Sequence, residues 1–80
     1  MYFLYILECS DKTLYTGITT NLDRRINEHN DSKLGAKYTK IRRPVKLVYS
    51  KTFDNRSVAL KEEARIKKLS RQQKFDLFKL

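Results

Sequence analysis

Two tyrosines, an arginine, a histidine and a glutamate stand in this sequence where an apolar residue would be the simpler choice. Arg25 and His29 are four residues apart in a stretch of helical periodicity, and both flank the apolar stripe made by Leu22 and Ile26. Arg24 and Glu28 fall on the opposite side and read as an ordinary exposed i,i+4 pair. On a second helix counted from Val58, Glu63 falls at about 140°, in the middle of the apolar arc of Ala59, Leu60 and Ile66. Glu62 falls at the edge, at about 40°, and reads as solvated. A carboxylate on an inward face is paired, bound to a cation, or costly. Tyr5 and Tyr15 lie in two apolar stretches and share a face if the strands pair in even register. Each residue has a plain reading: a strand tyrosine fills core with its hydroxyl at the rim, Arg25 runs along the core edge, His29 caps or packs, and Glu63 pairs with Arg25 or a lysine. Together they suit phosphodiester chemistry. A carboxylate holds a hard cation such as Mg²⁺ through few protein ligands, a guanidinium neutralises phosphate, and a phenol or imidazole moves a proton.

Such side chains need elements to position them. The run Tyr2 to Leu7 is continuous, aromatic and branched, and predicts a strand covered on both faces, hence central. Ser10 to Thr13 is turn material, and Leu14 to Ile18 predicts a second strand, so the chain opens on a hairpin. Gly17 within it indicates close approach by another backbone or a ligand. Thr20 or Asn21 caps a helix running to Asn30. Asp31 to Arg43 reads as a polar, basic loop. Pro44 opens a third strand, Val45 to Phe53, with Val45, Leu47 and Tyr49 on one face. Asp54 to Ser57 offers caps for a helix from Val58 to Leu69, and Ser70 with Gln73 forms a capping box for a short last helix ending near Phe78. The expected fold is α+β, a small three-stranded antiparallel sheet with flanking helices in the order β-β-α-β-α-α, as one domain over residues 1–80.

Composition sets the limits. Eighteen Lys and Arg against nine Asp and Glu give +9 on 80 residues, which favours an anionic partner. With 40% apolar residues, five Tyr and four Phe, the chain is no disordered basic tail. One Cys and one His exclude a protein-built zinc site and a disulfide framework, and a lone Cys9 fits a reducing cytoplasm. The apolar run Tyr2 to Leu7 is far short of a membrane span of about 20 residues. No basic stretch precedes it, as a signal peptide would require, and every apolar face has a place in one core, which leaves none for a membrane. Lys61, Arg65, Lys67, Lys68, Arg71 and Lys74 form a basic stretch, either a solvated helical face or a phosphate-contacting one.

Over essentially its whole length the chain resembles the GIY-YIG nuclease superfamily, and most of all its small single-domain bacterial members. The first half-motif corresponds to Phe3-Leu4-Tyr5 and the second to Tyr15-Thr16-Gly17. Arg25 follows, then His29, then Gly35-Ala36-Lys37-Tyr38-Thr39 ahead of Arg42-Arg43-Pro44, then Ala59-Leu60-Lys61-Glu62-Glu63 leading to Ile66-Lys67-Lys68-Leu69. Phe3 and Leu4 replace the Gly and Ile of the first half-motif, and Thr16 replaces the Ile of the second; both tyrosines and Gly17 are kept.

The resemblance implies a DNA endonuclease using one divalent ion, Mg²⁺ or Mn²⁺, held by Glu63. It implies Tyr15 as general base or water-positioning phenol and Arg25 as stabiliser of phosphate charge. Tyr5 would orient the nucleophile or the phosphate, and His29 would accept or relay a proton. A phenol with an ordinary pKa near 10 needs positive charge nearby to act at neutral pH, and the metal, Arg25 or a charged His29 are the candidate sources. Gly17, Lys37, Tyr38, Lys67 and Lys68 are the candidate nucleic-acid contacts. Relatives include the nuclease part of an excision-repair protein, which points to structure-selective cutting linked to repair or recombination, with a specificity-providing protein partner. Two alternatives fit the charge equally: a nucleic-acid-binding module with a vestigial site, and a basic assembly partner.

Overall fold

A computed structural model describes residues 1–31 and 34–78. It contains β1 (Tyr2–Glu8), β2 (Leu14–Thr19), α1 (Leu22–Asp31), α2 (Lys37–Lys40), β3 (Lys46–Phe53), α3 (Arg56–Lys67) and α4 (Arg71–Asp76). The three strands form one antiparallel sheet in the order β2-β1-β3, with β1 central as its unbroken apolar run requires. Leu4, Tyr5, Ile6 and Leu7 are all buried, because both faces of β1 are covered.

Two half-cores result, rather than the single core expected. On one face Tyr5, Leu7, Cys9 and Val45 pack with Tyr15 and with Leu22 and Ile26 of α1. On the other, Leu4 and Ile6 pack with Ile66 of α3, with Leu14, Ile18, Val48, Tyr49 and Phe53, and with Leu69, Leu77 and Phe78 around α4. The helices therefore divide, α1 to one side and α3 with α4 to the other. The chemistry-bearing tyrosines lie on the α1 side.

The turns follow their local chemistry. Asp11 accepts hydrogen bonds from the backbone N–H and the hydroxyl of Thr13, which closes the β1–β2 turn. Asn21, not Thr20, caps α1, its Oδ1 accepting from Arg24 N–H at 3.0 Å. Asn55 does the same for α3, and Ser70 with Gln73 forms the full capping box of α4.

Two departures have clear causes. The expected loop between α1 and β3 contains one helical turn, α2, stabilised where the Ala36 carbonyl accepts from Thr39 and Lys40 N–H. The expected common face for Val45, Leu47 and Tyr49 is broken by a bulge. Ile6 pairs with Tyr49 but Leu7 pairs with Leu47, so Val48 is the extra residue. Val45 then packs with Tyr5, Tyr49 with Ile6, and Leu47 is exposed. Among the described residues no helix is long and apolar enough to cross a membrane.

Candidate active site

The pairing Leu7↔Tyr15 and Tyr5↔Gly17 puts both tyrosines on the face covered by α1. Tyr5 lies across Gly17: a Cβ on that glycine would stand 2.5 Å from the phenol oxygen. Gly17 is buried. The close approach that its type signals comes from Tyr5, for which it makes room. Tyr5 itself is only 1% exposed. Burial pushes its pKa up to about 12, against the pull of the nearby Arg25 guanidinium. It stays protonated at neutral pH, with its hydroxyl against the His29 imidazole.

His29 is fully buried, beyond its expected place at the stripe's edge. Its Nε2 lies 2.9 Å from the Tyr5 hydroxyl and its Nδ1 2.7 Å from Thr39 Oγ1, which donates in turn to the Ala36 carbonyl at 2.9 Å. Burial, reinforced by Arg25 and Arg43 and opposed by Glu28, lowers the imidazole pKa to about 4. His29 is therefore neutral near pH 7, and a charged His29 is not a source of positive field for the phenols.

Tyr15 is half-buried and rests against the imidazole, ring centroids 5.1 Å apart. Tyr38 of α2 stacks on it at 5.9 Å and 28°. The Arg42 guanidinium covers Tyr38 at 3.9 Å from the ring centroid, held by Asp11 and by the Tyr38 carbonyl. The run Arg42, Tyr38, Tyr15, His29 is a continuous series of ring contacts, stacked at Tyr38–Tyr15 and tilted at Tyr15–His29, that reaches the surface at Tyr38, 37% exposed.

Arg25 borders the same space, its side chain 25% exposed. One guanidinium nitrogen donates to Glu28 Oε1 at 2.9 Å and to the Leu34 carbonyl at 2.8 Å. Helical spacing alone puts Glu28 on the exposed side with Arg24. In the structure its side chain is 17% exposed, contacts Arg25 at 2.9 Å and Arg24 only at 3.7 Å, because the carboxylate swings toward the better-buried cation. The Arg43 guanidinium donates to the His29 and Glu28 carbonyls near the end of α1. Gly35 lies against the same turn, where a Cβ would meet the Glu28 carbonyl oxygen at 2.6 Å.

Glu63 comes from α3. Its side chain is 17% exposed and its partner is Lys67, at 3.5 Å. Its charge acts on Tyr5, raising that pKa slightly. Glu62 is no more solvated than Glu63, since Arg65 holds both its oxygens at 2.7 and 2.8 Å. Among the described residues no group of three or more His, Cys, Asp or Glu side chains is placed to hold a metal. A metal here would take one protein carboxylate, with water and phosphate oxygens completing its shell. Mg²⁺ commonly accepts that arrangement, and Glu63, hard and reachable past the long-stemmed Lys67, fits it.

Tyr5, Tyr15, Arg25 and His29 thus come together, and Glu63 acts electrostatically on Tyr5. The other candidate contacts lie around the edge: Lys37 begins α2, Lys67 ends α3 and Lys68 caps it, all outside the core. Thr39, Arg42 and Arg43 join the site; the sequence marks them only as part of the stretch that resembles the small family members. Thr39 is a lone polar residue in a basic stretch, with no periodicity to mark it as buried.

A family model described as the GIY-YIG catalytic domain matches residues 1–76. A UPF0213 protein of Syntrophus aciditrophicus is 61% identical over 77 residues, covering 96% of this chain and 88% of the relative. One from Streptococcus agalactiae is 52% identical, covering 96% and 86%. The solution structure of a UPF0213 protein from Bacillus halodurans superposes with a TM-score of 0.61 at 46% identity, covering 96% of this chain and 82% of that one. An E. faecalis protein superposes at 0.64 and 43% identity, covering 95% and 81%.

Proposed function

Since the chain belongs to the GIY-YIG catalytic-domain family, we propose that it is a divalent-metal-dependent DNA endonuclease that hydrolyses a phosphodiester bond. One observation carries this reading: Tyr5, Tyr15, His29 and Arg25 converge on one sheet face, with the Glu63 carboxylate near enough to act on Tyr5. Their division of labour follows from burial and charge. Arg25 presents a fixed guanidinium to phosphate oxygens, where charge builds in the transition state. Tyr15, the less buried phenol, positions the attacking water and, as the phenolate, receives its proton. His29 and Tyr5 form the buried frame behind them. Glu63 holds one Mg²⁺ or Mn²⁺, which when bound supplies Lewis-acid stabilisation of the phosphate and an acidified water.

Lys37, Lys67, Lys68 and the exposed Tyr38 are the proposed DNA contacts, and most of the +9 charge is non-specific attraction to the backbone. A structure-selective role in repair or recombination, in the cytoplasm and with a specificity-providing partner, extends the same reading.

The test is cleavage of branched, nicked and plasmid DNA with and without Mg²⁺. Metal-dependent cutting that Glu63→Gln abolishes, with DNA binding kept, supports the proposal. Binding without cutting on every substrate defeats it. That outcome selects the second reading, a nucleic-acid-binding module with a vestigial site, in which Glu63 serves only its ion pair with Lys67.

A further inference from the structure

Thr39 is fully buried, so it cannot touch a substrate. It nevertheless decides where hydrogens lie in the centre. The Ala36 carbonyl oxygen carries no hydrogen, so its 2.9 Å contact with Thr39 Oγ1 uses the threonine hydroxyl hydrogen. The 2.7 Å contact between Thr39 Oγ1 and His29 Nδ1 must then use a hydrogen on Nδ1. In a neutral imidazole this leaves Nε2 bare, and its 2.9 Å contact with Tyr5 is filled by the phenol hydrogen. Three contacts receive three hydrogens, all running one way. The other neutral tautomer leaves Thr39 Oγ1 and the Ala36 oxygen facing each other with none between them.

The imidazolium also fills the three contacts, but it places a buried charge near Arg25 and Arg43, with Glu28 to offset it. His29, held down to about pKa 4, does not carry that charge near neutrality. With its hydrogen turned inward, the Tyr5 oxygen offers only lone pairs on its other side, where its interaction with Arg25 favours the positive guanidinium. Were the chain reversed, the Tyr5 hydrogen would point at the guanidinium hydrogens.

We propose that Thr39 is a positioning residue for the buried pair His29 and Tyr5: through the one-way chain Thr39–His29–Tyr5 it keeps the hydrogen on His29 Nδ1 and the Tyr5 oxygen an acceptor beside the reacting groups. The direction of the chain stands on geometry; its effect on cleavage rests on the nuclease reading above.

Nitrogen NMR of His29 tests it, because the two ring nitrogens report separately which carries the hydrogen. Wild type and Thr39→Ser, which keeps the hydroxyl, should show hydrogen on Nδ1 at pH 7. Thr39→Val, of nearly the same shape, should gain the Nε2–H form. Cleavage by Thr39→Val should fall about tenfold or more, mainly in kcat, with Thr39→Ser close to wild type. Wild-type hydrogen on Nε2, an imidazolium at pH 7, or an unchanged tautomer in Thr39→Val overturns the proposal. So does a Thr39→Val protein that switches tautomer and cuts at the wild-type rate. If the wild type cuts nothing, the nuclease reading falls alone, and the NMR result still decides the direction of the chain.

Discussion

Tyr5 rests directly on the backbone of Gly17, the residue paired with it across the hairpin, and no side chain fits between them. The phenol is thereby held against the sheet with its oxygen turned to His29.

Gly17→Ala should displace that ring. A methyl 2.5 Å from the phenol oxygen and 2.7 Å from its ring carbon cannot be accommodated without moving Tyr5. Overpacking of this kind costs about 1–3 kcal/mol. Urea unfolding should show the loss, and metal-dependent cleavage should drop more than stability alone explains. A variant as stable and active as wild type would place Tyr5 elsewhere.

Thr16→Val should stabilise the protein. Thr16 stands where the family's pattern has isoleucine, on the Ile6 face of the sheet, 4% exposed. Among the described residues its hydroxyl has no hydrogen-bond partner. Replacing it with a methyl of similar size removes a desolvated polar group, worth about 1 kcal/mol. Thermal unfolding checks this, and a lower Tm in Thr16→Val would count against an unpartnered hydroxyl.

Acid should destabilise the fold through His29. Its pKa is depressed from an ordinary 6.5 to about 4 in the folded chain. Between those values the unfolded chain binds the proton and the folded one does not, so stability is full above pH 6.5 and declines as pH falls toward 4. Alkali acts on Tyr5 in the opposite sense. Its pKa rises from 10 to about 12, so stability is present below pH 10 and is lost as pH climbs past it. Chemical denaturation at stepped pH should show both slopes, and the acid one should disappear in His29→Gln.

Lys37→Glu and Lys68→Glu should weaken DNA binding and flatten its dependence on salt, the mark of fewer phosphate contacts. Lys67 is the poorer position for this test, because it pairs with Glu63 and its reversal would disturb the carboxylate. Salt slopes identical to wild type in both variants would remove these lysines from the interface.

Much of this arrangement is legible in the sequence because it rests on strong local signals. The unbroken run of β1, the Ser70–Gln73 capping box and the tyrosines' shared face follow from patterning and pairing. A helical wheel places Arg25 and His29 on the inward border, yet it cannot give depth. His29 is fully buried only because residues beyond α1, Thr39 and Arg43 above all, close over it. The same limit explains Glu28, Glu62 and the β3 bulge. A long side chain reaches a partner that angle alone does not reveal, and one extra residue in a strand cancels an alternation rule without changing composition.

The placement of Tyr5 on the middle strand has a consequence for how the protein fails. Central strands are usually the last part of a small domain to open. Fraying of α4 leaves the Tyr5–His29 contact in place, whereas opening of the edge strand β2 takes Tyr15 and Gly17 away from it. Losing β1 takes Tyr5 and the fold together, while losing β2 removes Tyr15 from a sheet whose central strand still stands.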